Sequence, residues 1–174
     1  MKAYLRSTPK DAQLPISYGM HRTRFGMCVI GVAQKSVCYL ALYDGKSSKV
    51  MSDFKKLWPN AEFARDDKKT APFIKQIFTH PTAARMPILV TGTPFQEKVW
   101  KALLAIPQGK TITYAELAKK AGSPWATRAA GSACGKNNIA FIIPCHRVVA
   151  SNGALGNYRW GVARKKKILA FEGK

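Results

Sequence analysis

Between Thr93 and Gly135 the chain is cut into short helices by its own punctuation, and no other feature of the sequence restricts the fold so tightly. In "TPFQEKVWKALLAIPQG" (93–109), Thr93 is an N-cap residue, Pro94 suits the first helical position and Gln96 completes a capping box. Phe95, Val99 and Leu103, with Ala102, then recur on one face. In "TYAELAKKAG" (113–122), Thr113 caps with Glu116 three residues on, and Gly122 sits where a helix ends. "SPWATRAAGSACG" (123–135) starts again, with Ser123 as cap, Pro124 at the first position and Gly135 as the stop. Two helices joined by one tight Gly-Ser turn make a helix-turn-helix candidate.

Charge gives that candidate its meaning. The chain of 174 residues holds 29 Lys and Arg against 9 Asp and Glu, a net charge of +20. A field of that sign suits a polyanion, either nucleic acid or an anionic membrane surface; the plainer alternative is a soluble basic protein. A helix that reads bases presents Arg, Asn or Gln to their edges. Here Arg128 is followed by Ala129, Ala130, Gly131, Ser132 and Ala133. Such a surface packs closely against another helix, or lies against DNA without reading its sequence, with Arg128 as the one long side chain able to push in.

The rest of the chain divides the molecule in two. Residues 1–87 read as strand-rich: "FGMCVIGVAQKSVCYLALYD" (25–44) carries two β-rich runs around "AQKS", a hairpin signal. Helical stretches follow near "MSDFKKLWPN" and "APFIKQIFTH". "HPTAARMPILVTGTP" has three prolines and little periodicity, and reads as a connector to a second domain, 88–174. No apolar run reaches the ~18–20 residues of a membrane span, and "MKAYLRSTPK" lacks the apolar core of a secretory signal. Cysteines 28, 38, 134 and 145 form no C-x-x-C pair. With His21, His80 and His146 scattered, a zinc site from distant residues stays an alternative, but no cofactor or metal is expected. Reduced thiols inside a cell are the simplest account.

"FIIPCHRVV" (141–149) raises the chemical question. Cys145 has three readings: a core thiol, a metal ligand or a nucleophile. "IAFII" is a strand-like apolar run, and Pro144 disfavours helix at Ile143, so the thiol would end a buried extended segment. Yet His146 and Arg147 follow at once, and neither suits a buried core. A thiol is only a few per cent thiolate at neutral pH, so a nucleophile needs a base, often an imidazole acting through water and oriented by a carboxylate. Adjacent strand residues point to opposite sides, so His146 can serve Cys145 only on irregular backbone. The acids of this part are Glu97, Glu116 and Glu172. Glu116 has its capping role. Glu172 shares a helical face with Ile168 and Leu169 and should point inward, where a carboxylate needs a partner such as His146.

"IPCHRVV" followed by "GALGNYRWGV" resembles the active-site signature of the O6-alkylguanine-DNA alkyltransferases, and the likeness runs from about Thr93 to Glu172. The first part resembles that family's variable N-terminal domain more weakly. The resemblance implies an α/β (α+β) fold: a β-rich, ribonuclease-H-like domain, then a helical winged helix-turn-helix domain carrying the cysteine. It implies transfer of an alkyl group from O6 of guanine, mainly O6-methylguanine and also O4-methylthymine, irreversibly onto Cys145. His146 and Glu172 match the proton relay, Tyr114 the residue that aids the leaving guanine, and Asn137 the brace of the active-site turn. Arg128 matches the finger that replaces the flipped nucleotide, with Thr127, Ala129, Gly131 and Tyr114 against DNA. Val148, Tyr158, Arg159 and Trp160 match the base pocket, Val148 through its backbone.

The implied partner is double-stranded DNA bearing the lesion, bound by a monomer with no membrane and no cofactor. The implied place is the cytoplasm, on the nucleoid in a prokaryote, or the nucleus in a eukaryote. The sequence also departs from the family. No cysteine-rich module precedes the first part, so the metal-dependent transcriptional switch of some relatives is expected to be missing. Arg159 and Trp160 stand where other members carry small residues. Two rival readings remain: a helix-turn-helix protein that holds a flipped base without reacting, and a cysteine hydrolase using Cys145, His146 and Glu172.

Overall fold

The computed structural model describes residues 2–79 and 85–173, which form two compact units, Met1–Thr91 and Gly92–Lys174. In the first unit the strands are β1 (Lys2–Ser7), β2 (Pro15–Thr23), β3 (Gly26–Ala33) and β4 (Ser36–Tyr43). Helix α1 (Ser48–Leu57), β5 (Glu62–Arg65), α2 (Asp67–Thr79) and β6 (Arg85–Val90) follow. One six-stranded sheet has the order β1-β6-β4-β3-β2-β5. The three strands β2 to β4 run antiparallel, while β1 and β4 pair with β6, and β5 with β2, in parallel.

The hairpin read at "AQKS" is β3–β4, closed by Gln34 and Lys35, both at positive φ (49° and 59°). That conformation matches the twist of the strands. Both strands are buried along nearly their whole length, as expected for the centre of a sheet. Phe54 of α1 explains Gly31: a Cβ at Gly31 would sit 2.1 Å from the Phe54 ring, which stacks on Tyr39 at 4.1 Å.

One expectation here is corrected. The proline-rich stretch taken as a connector contains β6, whose Met86, Ile88, Leu89 and Val90 are all buried. Pro87 hides the strand from a pattern search, because proline is rare between two neighbours. Parallel pairing with β1 nonetheless runs from Lys2–Arg85 to Ser7–Val90. The boundary drawn at 87 thus falls inside a strand, and the structure divides the chain after Thr91. The start of that stretch, His80 to Ala84, lies outside the described residues.

The second unit holds α3 (Pro94–Leu104), β7 (Ile112–Thr113), α4 (Tyr114–Lys120), α5 (Thr127–Gly135), β8 (Val148–Val149) and α6 (Val162–Phe171). The capping boxes Thr93–Gln96 and Thr113–Glu116 are both formed. Each satisfies two amide donors that a helix start leaves open. Gly122 ends the α4 region at φ +77°. The Ser123 cap is corrected: α5 begins only at Thr127, after Ala126, which makes no side-chain cap. Ser123 instead opens a turn, accepting the Ala126 amide at 2.9 Å. Pro124 at the second turn position favours that turn over a helix start. Trp100 of α3 donates its indole N–H to the Ala133 carbonyl at 3.0 Å, tying α3 to α5. No described helix is long and apolar enough to cross a membrane.

Candidate active site

Cys145, His146 and Arg147 form one turn of 3-10 helix after Pro144. The extended segment expected before the cysteine is corrected. Residues 139–143 wind through turns, with the Ile143 amide on the Ile139 carbonyl at 3.1 Å and Phe141 at φ 65°. The Asn137 side chain supplies the hydrogen bonds that a strand neighbour would. Its Oδ1 accepts the Ile139 amide at 2.8 Å, and its Nδ2 donates to the Ile143 carbonyl at 3.0 Å and to Cys145 Sγ at 3.2 Å. Asn137 is fully buried. The irregular backbone that a Cys–His pair needs is therefore built by one amide.

His146 is also fully buried, against the expectation that it does not suit a core. Glu172, at the end of α6 beside buried Ile168 and Leu169, makes this possible. Its Oε1 lies 3.1 Å from His146 Nε2. Arg147 closes on the same carboxylate in fork fashion, Nη2 to Oε1 at 2.7 Å and Nε to Oε2 at 2.9 Å, and donates Nη1 to the Ile106 carbonyl at 2.5 Å. A buried carboxylate with such partners stays ionised. Burial alone would raise the Glu172 pKa, but the hydrogen bonds from His146 and Arg147 outweigh it and bring the value down to about 2.

An ionised Glu172 fixes the imidazole. Nε2 carries the proton it donates, which leaves Nδ1 as a lone pair, and Nδ1 is a buried atom with no hydrogen-bond partner among the described residues. Burial, only partly offset by Glu172, holds the His146 pKa below its ordinary value, so the ring is a neutral base at physiological pH.

The Cys145 thiol is held below its ordinary pKa. The Cys134 thiol donates to it, burial opposes, and the Asn137 amide and Lys165 add to the lowering. Cys134 moves up, first through the bond it gives to Cys145 and then through burial. Of the two thiols Cys145 ionises the more readily, because it has the further donor, Asn137. Lys165 is fully buried, donates Nζ to the Val148 carbonyl at 2.6 Å and to the Leu155 carbonyl, and burial lowers its pKa.

A cavity of about 280 Å³ opens beside the thiol, between Tyr114, Cys134, Cys145, Tyr158 and Arg159. It lies near the small end of ligand cavities, a size for one compact group. Tyr114 keeps its proton, since burial raises its pKa, as do the neighbouring cysteines. The Tyr158 hydroxyl is buried with no partner among the described residues. Arg159 donates to Asn138 Oδ1 at 2.9 Å and the Asn137 carbonyl at 3.3 Å. Val148 and Trp160 stand outside the lining. Val148 is fully buried with its carbonyl engaged by Lys165, and Trp160 packs edge-to-face on Tyr158 at 5.2 Å.

The two sides of α5 differ: one packs inside the unit and the other is open. Ala130 and Ala133 are buried, and a Cβ on Gly131 would meet the Tyr114 ring at 3.6 Å. Thr127, Arg128 and Ala129 are exposed.

Sequence reasoning missed Arg147, Cys134 and Lys165 as parts of this centre. Arg147 sat inside the quoted motif but had no assigned partner. Lys165 belongs to the run "RKKK", which reads as a solvated face until α6 is seen to bury it. Cys134 carries no local signal at all.

These parts define a protein of the cysteine-nucleophile class: a thiol whose ionised form is held by donors, a neutral imidazole oriented by a carboxylate, and a small cavity facing the sulfur. Residues 94–174 match the family model described as 6-O-methylguanine DNA methyltransferase, DNA binding domain. The chain is 36% identical over 163 residues to the Escherichia coli bifunctional transcriptional activator/DNA repair enzyme Ada, covering 91% of this chain and 46% of that protein. It is 36% identical over 132 residues to the methylated-DNA–protein-cysteine methyltransferase of Saccharomyces cerevisiae, 75% of this chain and 65% of that one. The crystal structure of Mycobacterium tuberculosis OGT in complex with DNA superposes with a TM-score of 0.72 at 31% identity, covering 90% of this chain and 92% of that chain. The chain belongs to the O6-methylguanine-DNA methyltransferase family, with the mixed α/β fold of its solved members. It spans about half the length of the curated relatives it matches first.

Proposed function

We propose that this chain repairs DNA by direct reversal, taking the alkyl group of O6-alkylguanine onto Cys145 once per molecule. The observation that carries this reading is the thiol–imidazole–carboxylate arrangement at a cavity too small for a large substrate. His146 Nδ1, through a water molecule, takes the Cys145 proton, and Glu172 with Arg147 steadies the imidazolium that forms. The thiolate attacks the methyl carbon; the S–C bond forms and the C–O6 bond breaks, its electron pair passing to the guanine. Tyr114, still protonated, donates to the leaving base. The thioether is not hydrolysed, so no second turnover follows.

A methylated O6 lies inside the base stack, and the target nucleotide has to leave it at a cost of a few kcal/mol. On this reading Arg128 enters the vacated place, and the open side of α5 with Thr127 and Ala129 follows the groove, with Gly131 and Tyr114 alongside. Tyr158 and Arg159 border the base, with Val148 and Trp160 behind them. Duplex DNA with O6-methylguanine is the principal substrate, and O4-methylthymine a secondary one. In the same proposal the first domain is ribonuclease-H-like and the second a winged helix-turn-helix domain, with β7 and β8 as the wing base. The protein would work as a monomer, without a cofactor, in the compartment that holds the DNA.

Intact-mass spectrometry after incubation with O6-methylguanine duplex tests the proposal. The expected result is a stable gain of one methyl group in the wild type, mapped to Cys145, and none in Cys145→Ala. Because affinity comes from phosphate contacts and the helix, Cys145→Ala should keep its DNA affinity in a gel-shift titration. Tight lesion binding with no mass gain in the wild type would make the chain a non-reacting lesion binder instead.

A further inference from the structure

Four tryptophans occur in the chain, and they do not share one fate. Trp58, Trp100 and Trp160 are buried, and the first two satisfy their indole N–H on the carbonyls of Cys38 and Ala133. Trp125 is 98% exposed. It occupies the third position of the turn Ser123–Pro124–Trp125–Ala126, closed by the 2.9 Å bond from the Ala126 amide to the Ser123 carbonyl. Pro124 stiffens that turn. A large indole held outward on a rigid turn returns nothing to the fold, and its exposure is unfavourable by the usual area argument. Tryptophan is among the residues enriched at interfaces, where its ring is apolar and its N–H can stay wet.

The surroundings select the partner. Lys119 and Lys120, at the end of α4, precede the turn and are exposed, as are Thr127 and Arg128 at the start of α5. An aromatic face between cations on a chain of net charge +20 is matched by a polyanion that itself carries flat rings and sugars. Trp is economical for this, with only two side-chain torsions to freeze.

We propose that Trp125 is a second DNA-contacting side chain: its indole packs against a sugar or base beside the site entered by Arg128, enlarging the grip of α5 without reading sequence. This rests on the DNA reading above, and the experiment separates the two. Trp125 is the one highly exposed tryptophan, so acrylamide quenching of the intrinsic fluorescence reports on it. Adding undamaged duplex should shield the exposed component of the emission. Trp125→Ala should remove that component and weaken duplex binding about five- to thirty-fold, at the lower end of what one stacked ring contributes. Trp125→Phe should recover most of the affinity, while transfer from free O6-methylguanine base should be the same in all three proteins.

If the wild type binds duplex but its exposed tryptophan stays open to acrylamide, and Trp125→Ala binds within twofold, this inference is overturned and the DNA reading stands. If the wild type does not bind duplex at all, both fall. Shielding produced without DNA, by raising protein concentration or by anionic phosphatidylserine vesicles, would assign Trp125 to self-association or a membrane surface and overturn it as well.

Discussion

Asn137 Nδ2 and Cys145 Sγ lie 3.2 Å apart, and the same amide holds the Ile143 carbonyl at 3.0 Å. One side chain thus shapes the loop that presents the nucleophile and stabilises the charge it must carry. Folding and chemistry meet at a single residue.

Asn137→Ala should therefore fail on both counts. It strands the buried Ile139 amide and Ile143 carbonyl, each at about 1–3 kcal/mol, and removes a thiolate donor. A stability loss of roughly 3 kcal/mol is expected by chemical denaturation. Single-turnover transfer should slow at least about tenfold, since a donor to a charged group is worth about 1.5–3 kcal/mol. Normal transfer kinetics in a variant that is merely less stable would remove Asn137 from the chemistry.

Glu172 makes stability depend on acid. Its folded pKa, about 2, lies below the ordinary 4.5, so the folded state favours the ionised form. The contribution is complete above about pH 4.5 and is lost as pH falls toward 2. Its size is on the order of 3 kcal/mol, at about 1.4 kcal/mol per pKa unit. Urea midpoints measured from pH 6 down to pH 3 should fall more steeply for wild type than for Glu172→Gln. Parallel slopes would contradict this.

His146 resists protonation, because burial lowers its pKa below 6.5. Unfolded chains take up that proton first, so His146 also subtracts stability as pH drops below 6.5. The acid limb of the single-turnover rate should consequently fall at a pH below 6.5. A limb centred above 6.5 would mean that His146 is not the base as described.

Arg128→Ala should slow transfer in duplex DNA more than in single strands. The exposed side chain has a gap to fill only where a stack exists. Equal slowing on both substrates, in single-turnover assays, would remove Arg128 from that role.

Trp160 packs edge-to-face on Tyr158, which lines the cavity, so its effect on the cavity is transmitted through that ring. Trp160→Gly should cost about 3 kcal/mol of stability, in the range for deleting a buried aromatic. The freed space should let Tyr158 shift and increase inactivation by free O6-benzylguanine more than it changes methylguanine transfer. Unchanged benzyl sensitivity would mean that Tyr158 is held from elsewhere.

Much of the second unit was legible in its sequence, because the signals are local. Capping boxes at Thr93 and Thr113 act within three residues, and Gly122 stops a helix by its own conformation. Pairing of Glu172 with His146 followed from an amphipathic face and the cost of a buried carboxylate. β6 was hidden because Pro87 breaks the pattern that betrays a strand, and only its neighbours β1 and β4 show that it is one. The turns before Cys145 were hidden for a similar reason. An apolar run states that a segment is buried, not which groups will satisfy its backbone, and here a side chain six residues before Ile143 does so.

By itself, then, the sequence determined where helices start and stop, which cysteine stands beside a histidine, and that the surface is strongly basic. Each of these depends on neighbours along the chain or on composition. Tertiary structure alone decided that Arg147 shares the carboxylate with His146, that Cys134 donates to Cys145, that Lys165 is buried and that Trp125 is not. Those facts depend on which residues folding brings within hydrogen-bonding distance and which it leaves to water. A charged or aromatic side chain carries no mark of that outcome until its neighbours are in place.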